Sequence, residues 1–205
     1  MELKLAIESR TSVRAYKSEP VALDDLKEMI RLANLAPSVA DSRPWEFVII
    51  TSKKLLDDMA RKVARQIENI PENESIAAKN VKSQVEWFAT FFQDAPAVIA
   101  LAMTNYESVL EKGVVMDHEE INRMRNYPDI QSAGACIQTM LLAAVDMGYG
   151  SCWLSAPMVA KDTLEKMLGM DEKFKLIAFV AVGKPERIPA KKPARDINEI
   201  IRIIE

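Results

Sequence analysis

One continuous apolar run constrains the fold more than any other feature of this sequence. Residues 97–102 read Ala-Val-Ile-Ala-Leu-Ala and follow directly on a proline. A strand with one solvated face alternates apolar and polar residues, whereas an unbroken run is typical of a strand covered on both faces. The run is far too short for a transmembrane helix, which needs about 20 apolar residues. The sequence therefore predicts a central strand with helices packed on both sides of its sheet.

Further strands and helices alternate along the rest of the chain. β-branched and aromatic residues predict a strand over 45–51, and two more strands are predicted over 149–154 and 176–182. Helical spacing of apolar residues and capping signals predict helices over 3–9, 23–36, 52–69, 74–92, 131–147 and 161–168. This order predicts an α+β chain with a central sheet wrapped by helices. Residues 105–128 show only weak periodicity, and the apolar tail over 191–205 has no obvious strand partner.

Length and composition exclude several classes of protein. The 205 residues favour one domain, and the net charge of −3 argues against general nucleic-acid binding. Two cysteines match no metal-binding spacing, which favours a reducing compartment. The N-terminus lacks the apolar core of a signal peptide. We therefore expect a cytoplasmic protein without a metal site, a membrane segment or a nucleic-acid partner.

The first candidate site is the stretch Arg10-Thr11-Ser12-Val13-Arg14. Alternate side chains of an extended segment share a face, so Arg10, Ser12 and Arg14 are predicted on one side, with Thr11, Val13 and Ala15 on the other. Two guanidinium groups beside a hydroxyl suit a phosphate or an electron-rich ring edge. Two solvated arginines after a short helix are the structural alternative.

Two loops and one histidine complete the candidates. The loop 36–45 joins a helix to a strand and carries several hydrogen-bonding side chains, and the stretch 148–155 places small residues before a strand. Each is equally consistent with a purely structural connection. Neither a dinucleotide fingerprint nor a phosphate-binding loop is present. The single histidine, His118, lies among acidic residues, and we interpret this stretch as a solvated charged turn.

Several segments, taken in chain order, resemble the FMN-dependent nitroreductase family. They are residues 9–16 (Ser-Arg-Thr-Ser-Val-Arg-Ala-Tyr), 35–38 (Leu-Ala-Pro-Ser), 43–47 (Arg-Pro-Trp-Glu-Phe), 141–144 with 148–153, 182–185 (Val-Gly-Lys-Pro), and Lys192 with Arg195. The resemblance runs from about residue 3 to residue 200. No single segment is specific, but the ordered set is.

The resemblance implies a nitroreductase-like α+β fold with a central, mostly antiparallel sheet wrapped by helices and an intertwined homodimer. It implies one FMN-binding domain over 1–205, whose tail from about residue 191 extends onto the partner subunit. FMN is the implied cofactor, and NADH or NADPH is the implied co-substrate. The flavin N5 atom carries the chemistry, so no catalytic side chain is expected.

The resemblance also assigns flavin contacts. Arg10 is expected at the phosphate and Arg14 nearer the pyrimidine edge. Lys192 and Arg195 are expected to complete the phosphate site, with Lys191 competing for the lysine role. The loop from Ser38 is expected to come from the other subunit, and the backbone after β-strand residue 152 to reach N5. The full set of implied contacts is Arg10, Ser12, Arg14, Ser38, Val39, Asp41, Arg43, Gln131, Trp153, Leu154, Ser155, Ala156, Lys192 and Arg195.

The implied activity is a ping-pong transfer of electrons from NAD(P)H to nitroaromatic, quinone or similar small acceptors. The loop departs from the family pattern, which more often reads Ser-Gly-Asn-x-Gln-Pro-Trp, because Asp41 and Arg43 add charges there. An Asp–Arg pair is one way to neutralise them. Reductive dehalogenation, oxidative or fragmentation chemistry, and flavin binding without turnover therefore stay open as alternatives.

Overall fold

The computed structural model describes residues 1–71, 75–191 and 193–205. Its strands are β1 (Trp45–Ile50), β2 (Ala97–Met103), β3 (Gly150–Leu154) and β4 (Lys175–Gly183). They form one sheet in the order β1-β2-β4-β3, and every neighbouring pair is antiparallel. The predicted α+β architecture with an antiparallel central sheet is confirmed.

Helices surround this sheet close to the predicted positions. They are α1 (Leu3–Ser9), α2 (Leu23–Ala33), α3 (Lys53–Glu68), α4 (Ile76–Thr90), α5 (His118–Met124), α6 (Pro128–Asp146) and α7 (Lys161–Met167). Helix α6 begins three residues before its predicted start, because Pro128 occupies the first turn, where its missing N–H is no loss. Helix α5 lies in the weakly periodic segment. Its start is a capping box between Asp117 and Glu120.

Strand β2 separates two apolar cores, as its unbroken run predicts. All seven of its residues are buried. Ile99 and Leu101 pack with α2 and α6 on one face, while Val98 and Ala100 pack with α3 on the other. Alternate side chains of one strand therefore fill opposite layers, so a polar substitution anywhere in β2 would place an unpaired group in a core.

The N-terminal segment after α1 pairs with the start of the edge strand β3 at Ser151 and then with Pro185, just after β4. The backbone N–H of Val13 donates to the carbonyl of Ser151 at 3.0 Å. Gly150 and Gly183 are paired across β3 and β4. A Cβ atom at Gly150 would lie 2.7 Å from Val13 Cγ2, so the close approach of the two segments requires a glycine there. The candidate stretch 10–14 thus lies along the β3 edge of the sheet.

The C-terminal tail forms no strand within the residues that the structure describes. It contains one short 3-10 turn, Ile197–Glu199, and its side chains are exposed. Its five exposed isoleucines are Ile197, Ile200, Ile201, Ile203 and Ile204. Across the described ranges, no helix combines the length and the apolar character needed to cross a bilayer.

Candidate functional site

The predicted N-terminal cations converge at β3. Burial raises the pKa of the Cys152 thiol, and the nearby side chains of Arg14, Ser12 and Arg10 act in the opposite direction. All three side chains therefore lie near the Cys152 thiol of β3, whereas the intervening Val13 is buried. The alternation predicted for Arg10, Ser12 and Arg14 is consistent with this placement.

Ser12 and Arg14 line a cavity of about 420 Å³. Its other walls include Trp87 of α4 and residues 187–190, which follow β4. Ala15, which the alternation placed on the opposite face, also lines this cavity, because the segment turns toward β4 beyond Arg14. A cavity of this size falls within the range of small-molecule sites, about 300–1,000 Å³.

Aromatic rings and guanidinium groups define the chemistry of this cavity. The Arg14 guanidinium lies 5.4 Å from the centroid of the Phe88 ring, which is within cation–π distance. Trp87 packs edge-on against Phe88 at 4.9 Å and remains 52% exposed. Arg187 supplies a second guanidinium to the lining. The cavity therefore offers a flat aromatic wall and two cations.

Trp87 and Arg187 were missed by sequence reasoning. Residues 88–94 are mostly aromatic and apolar, so the sequence offered no polar flavin contact there. The neighbouring residue that lines the cavity is Trp87, an aromatic side chain. Arg187 is not part of a recognisable sequence motif. The available signal was its position, four residues after Gly183 at the end of β4.

The loop 38–43 is backbone-strained and anchored to α6. Ala40 and Asp41 have φ values of 51°, and Arg43 has a φ of 44°. The Val39 N–H donates to Ser132 Oγ at 3.0 Å, and the Arg43 N–H donates to Ser38 Oγ at 2.9 Å. Left-handed conformations of non-glycine residues are costly and cluster at functional sites.

The two charges that distinguish this loop form an ion pair. Arg43 Nη2 lies 3.1 Å from Asp41 Oδ1. The pair carries no net charge, although both side chains remain exposed to solvent. The pairing that the sequence left open is thus present in the structure.

The remaining predicted contacts lie around the N-terminal half of α6 and the end of β3. Gln131 is exposed, and its side-chain amide donates to the Asn126 carbonyl at 2.7 Å. Trp153 is 45% exposed, and its ring lies beside Gly134 of α6. A Cβ atom added at Gly134 would be in ordinary contact with the ring, 3.7 Å from Cη2. Leu154 is buried, Ala156 is partly buried and Ser155 is exposed. The structure therefore leaves Trp153 and Ser155 accessible.

Arg195, one of the two predicted C-terminal basic residues, is not among the residues that line this cavity. Lys192 lies outside the described residues. Arg195 is exposed, and its Nη2 atom lies 3.6 Å from Glu199 Oε2 within the tail. Lys191 is also exposed. The role of the pair at a phosphate stays a prediction. Among the described residues after β4, Arg187 is a cation that shares a cavity with Ser12 and Arg14.

The interpretation of His118 as part of a solvated turn is wrong. Its side chain is only 18% exposed, and Nδ1 lies 2.6 Å from Glu111 Oε1. Tyr106 packs edge-on against the imidazole at 4.8 Å. The carboxylate beside His118 thus belongs to Glu111, seven residues earlier and outside α5. The residues adjacent to His118 in sequence do not reveal this contact. Over the described ranges, no cluster of three or more residues is suited to a metal ion.

Comparisons with known proteins identify relatives over most of the chain. The model of the Nitroreductase family matches residues 7–184. The iodotyrosine deiodinase of Hydra vulgaris is 26% identical over 204 residues, covering 96% of this chain and 71% of that protein.

Two solved structures show the same fold. A BluB-like flavoprotein from Clostridium difficile 630 superposes with a TM-score of 0.89 at 29% identity, with both chains fully covered. A nitroreductase with bound FMN from Desulfitobacterium hafniense DCB-2 has a TM-score of 0.74 at 18% identity, covering 100% of this chain and 99% of that one. The likeness to the second structure concerns the fold alone.

Proposed function

Because the chain belongs to the nitroreductase family, we propose that it is an FMN-dependent oxidoreductase. Its electron donor is NADH or NADPH, and its acceptor is a small nitroaromatic, quinone or similar molecule. One observation carries the proposal: Arg10, Ser12 and Arg14 converge on β3 beside a cavity that also contains Arg187. Among the described residues, neither Arg14 nor Arg187 has an ion-pair partner.

The residues of the cavity fit FMN chemically. Its phosphate and pyrimidine edge are anionic or electron-rich, and guanidinium groups bind such edges through paired N–H donors. The exposed Trp87 ring offers a flat surface to a planar ligand. When bound, FMN accepts a hydride at N5 and passes electrons to the second substrate, so the protein needs to bind and orient rather than act as acid or base.

Individual residues take the following proposed roles. Arg10, Ser12 and Arg14 hold the flavin from the N-terminal segment, and the backbone of residues 153–156 lies behind it. The loop 38–43 covers the site of the partner subunit in a homodimer, and the tail extends onto that partner. The Val39–Ser132 hydrogen bond, which anchors the loop to α6, supports this role.

Reductive dehalogenation is a second candidate activity. The iodotyrosine deiodinase of Hydra vulgaris is a relative over 96% of this chain. The Asp41–Arg43 ion pair also places two charged side chains where the common family pattern has amides. A paired loop adds no net charge beside the acceptor, which is compatible with neutral quinones and with halogenated phenols.

Purification followed by rapid kinetics tests the proposal. We expect a yellow protein, or a colourless one that takes up FMN stoichiometrically and then shows bound-flavin absorbance. Anaerobic mixing with NADH or NADPH should bleach that absorbance, and separate mixing with a nitroaromatic, a quinone and an iodophenol should restore it at different rates. A protein that takes up no FMN would contradict the proposal. Bound flavin that no nicotinamide reduces would indicate binding without turnover.

A further inference from the structure

We propose that Arg187 is a cofactor-binding residue, which acts with Arg14 to bind anionic oxygen atoms of the flavin. The inference rests on the proposed function, because it names a residue of the same site. It differs from the family resemblance, which placed the C-terminal cations at Lys192 and Arg195.

Backbone pairing brings the segment that carries Arg187 beside the segment that carries Arg14. Tyr16 and Pro185 form an antiparallel bridge, and the Glu186 N–H donates to the Ala15 carbonyl at 3.1 Å. The chain bends at residues 186–187, directly after this pairing. The side chains of Arg14 and Arg187 both line the cavity that contains Ser12.

Two cations that line the same cavity repel each other unless an anion lies between them. No carboxylate among the described residues forms an ion pair with the Arg14 or the Arg187 guanidinium, whereas Arg43 pairs with Asp41 and Arg195 with Glu199. Two guanidinium groups without a carboxylate partner therefore share one cavity, where Ser12 also supplies a hydroxyl. An anionic ligand would convert this repulsion into attraction.

FMN offers this chemistry at two places, its phosphate and the oxygen-bearing edge of its pyrimidine ring. Both present oxygen atoms that a guanidinium fork can bind through two parallel N–H donors. Riboflavin has the ring and lacks the phosphate. A comparison of the two ligands therefore distinguishes the two places.

The experiment compares the wild-type protein with Arg187→Ala. Affinities of the cofactor-free protein for FMN and for riboflavin are measured by quenching of flavin fluorescence, and the flavin reduction potential is measured with redox dyes. Arg65→Ala is the matched control, because Arg65 is an exposed arginine of α3 that lines a different cavity. Circular dichroism melting verifies that each variant is folded.

A phosphate contact predicts that Arg187→Ala weakens FMN binding about tenfold to a hundredfold and leaves riboflavin binding unchanged. A ring-edge contact predicts equal weakening for both ligands, or a more negative reduction potential, because the cation stabilises the reduced, anionic flavin. Either result supports the proposal. Values that equal those of wild type and Arg65→Ala in all three measurements would overturn it. Wild-type protein that binds neither ligand would refute the proposed function itself.

Discussion

The substitution Gly150→Ala tests whether the candidate site depends on the close approach of the N-terminal segment to β3. The added Cβ would lie 2.7 Å from Val13 Cγ2 and 2.9 Å from both Cβ and Cγ1 of that residue. Carbon atoms in contact prefer about 3.5–4.0 Å, so a displacement of about 1 Å is needed. Val13 is β-branched and held by its backbone bond to Ser151, so rotation of its side chain gives no relief.

Overpacking of this kind costs about 1–3 kcal/mol. For a chain of this size, a loss of about 2 kcal/mol lowers the melting temperature by about 4–8 °C. Because the displaced segment also carries Ser12 and Arg14, FMN affinity should fall with stability, about tenfold for each 1.4 kcal/mol of binding energy lost. Differential scanning fluorimetry and flavin titration measure the two effects.

Two further variants make the interpretation specific. Gly113→Ala is the control, because the nearest atom to its added Cβ is 4.0 Å away, and its stability should stay within about 0.5 kcal/mol of wild type. Val13→Ala removes two of the three clashing atoms, so its combination with Gly150→Ala should cost less than the sum of the single changes. If Gly150→Ala melts and binds FMN as the wild type does, the segment is not seated on this glycine and our reasoning is refuted.

Three other predictions concern the anchor, the thiols and the buried phenol. Ser132→Ala leaves the Val39 N–H without its acceptor, so we expect the free energy of urea unfolding to fall by about 1–3 kcal/mol. Proteolysis of the loop 38–43 should also become faster, and an unchanged cleavage rate would argue against anchoring of the loop by this hydrogen bond. Burial raises the pKa of Cys136 to about 12 and also raises that of Cys152, so both thiols should react slowly with a disulfide reagent at pH 7.5 and fully after denaturation. Rapid labelling of the native protein would contradict this burial. Burial also raises the pKa of Tyr16, so the folded state keeps a proton that the unfolded chain loses above about pH 10. Stability should therefore be fully present below that pH and decline above it, and a flat profile to pH 11 would oppose this conclusion.

The sheet and its helices were predictable because each element has a local signal. The apolar run of β2, the Ser52 cap of α3 and the Pro37 stop after α2 are all visible in the chain itself. The pairing of the strands has no such local signal, but the family resemblance implied an antiparallel sheet. The segment 105–128 was not interpreted, because its helix α5 has only seven residues and shows no extended apolar stripe.

The candidate site was predictable only in part. Arg10, Ser12 and Arg14 share one extended segment, so their common face follows from a period of two. Arg187 was not predictable, because its position depends on pairing between segments about 170 residues apart. The environment of His118 was misjudged for the same reason, since Glu111 and Tyr106 reach it from outside its helix.

Within residues 10–14, one residue fixes the course of the backbone and others provide side chains for a ligand. The backbone bond of Val13 to Ser151 and its contact with Gly150 fix the path of the chain, while residues 10, 12 and 14 contribute side chains that the path does not require. Those three positions can therefore change identity without loosening the framework beneath them. Mutational drift at positions 10, 12 and 14 would retune ligand choice, whereas change at 13 or 150 would first lower the stability of the framework that presents those side chains.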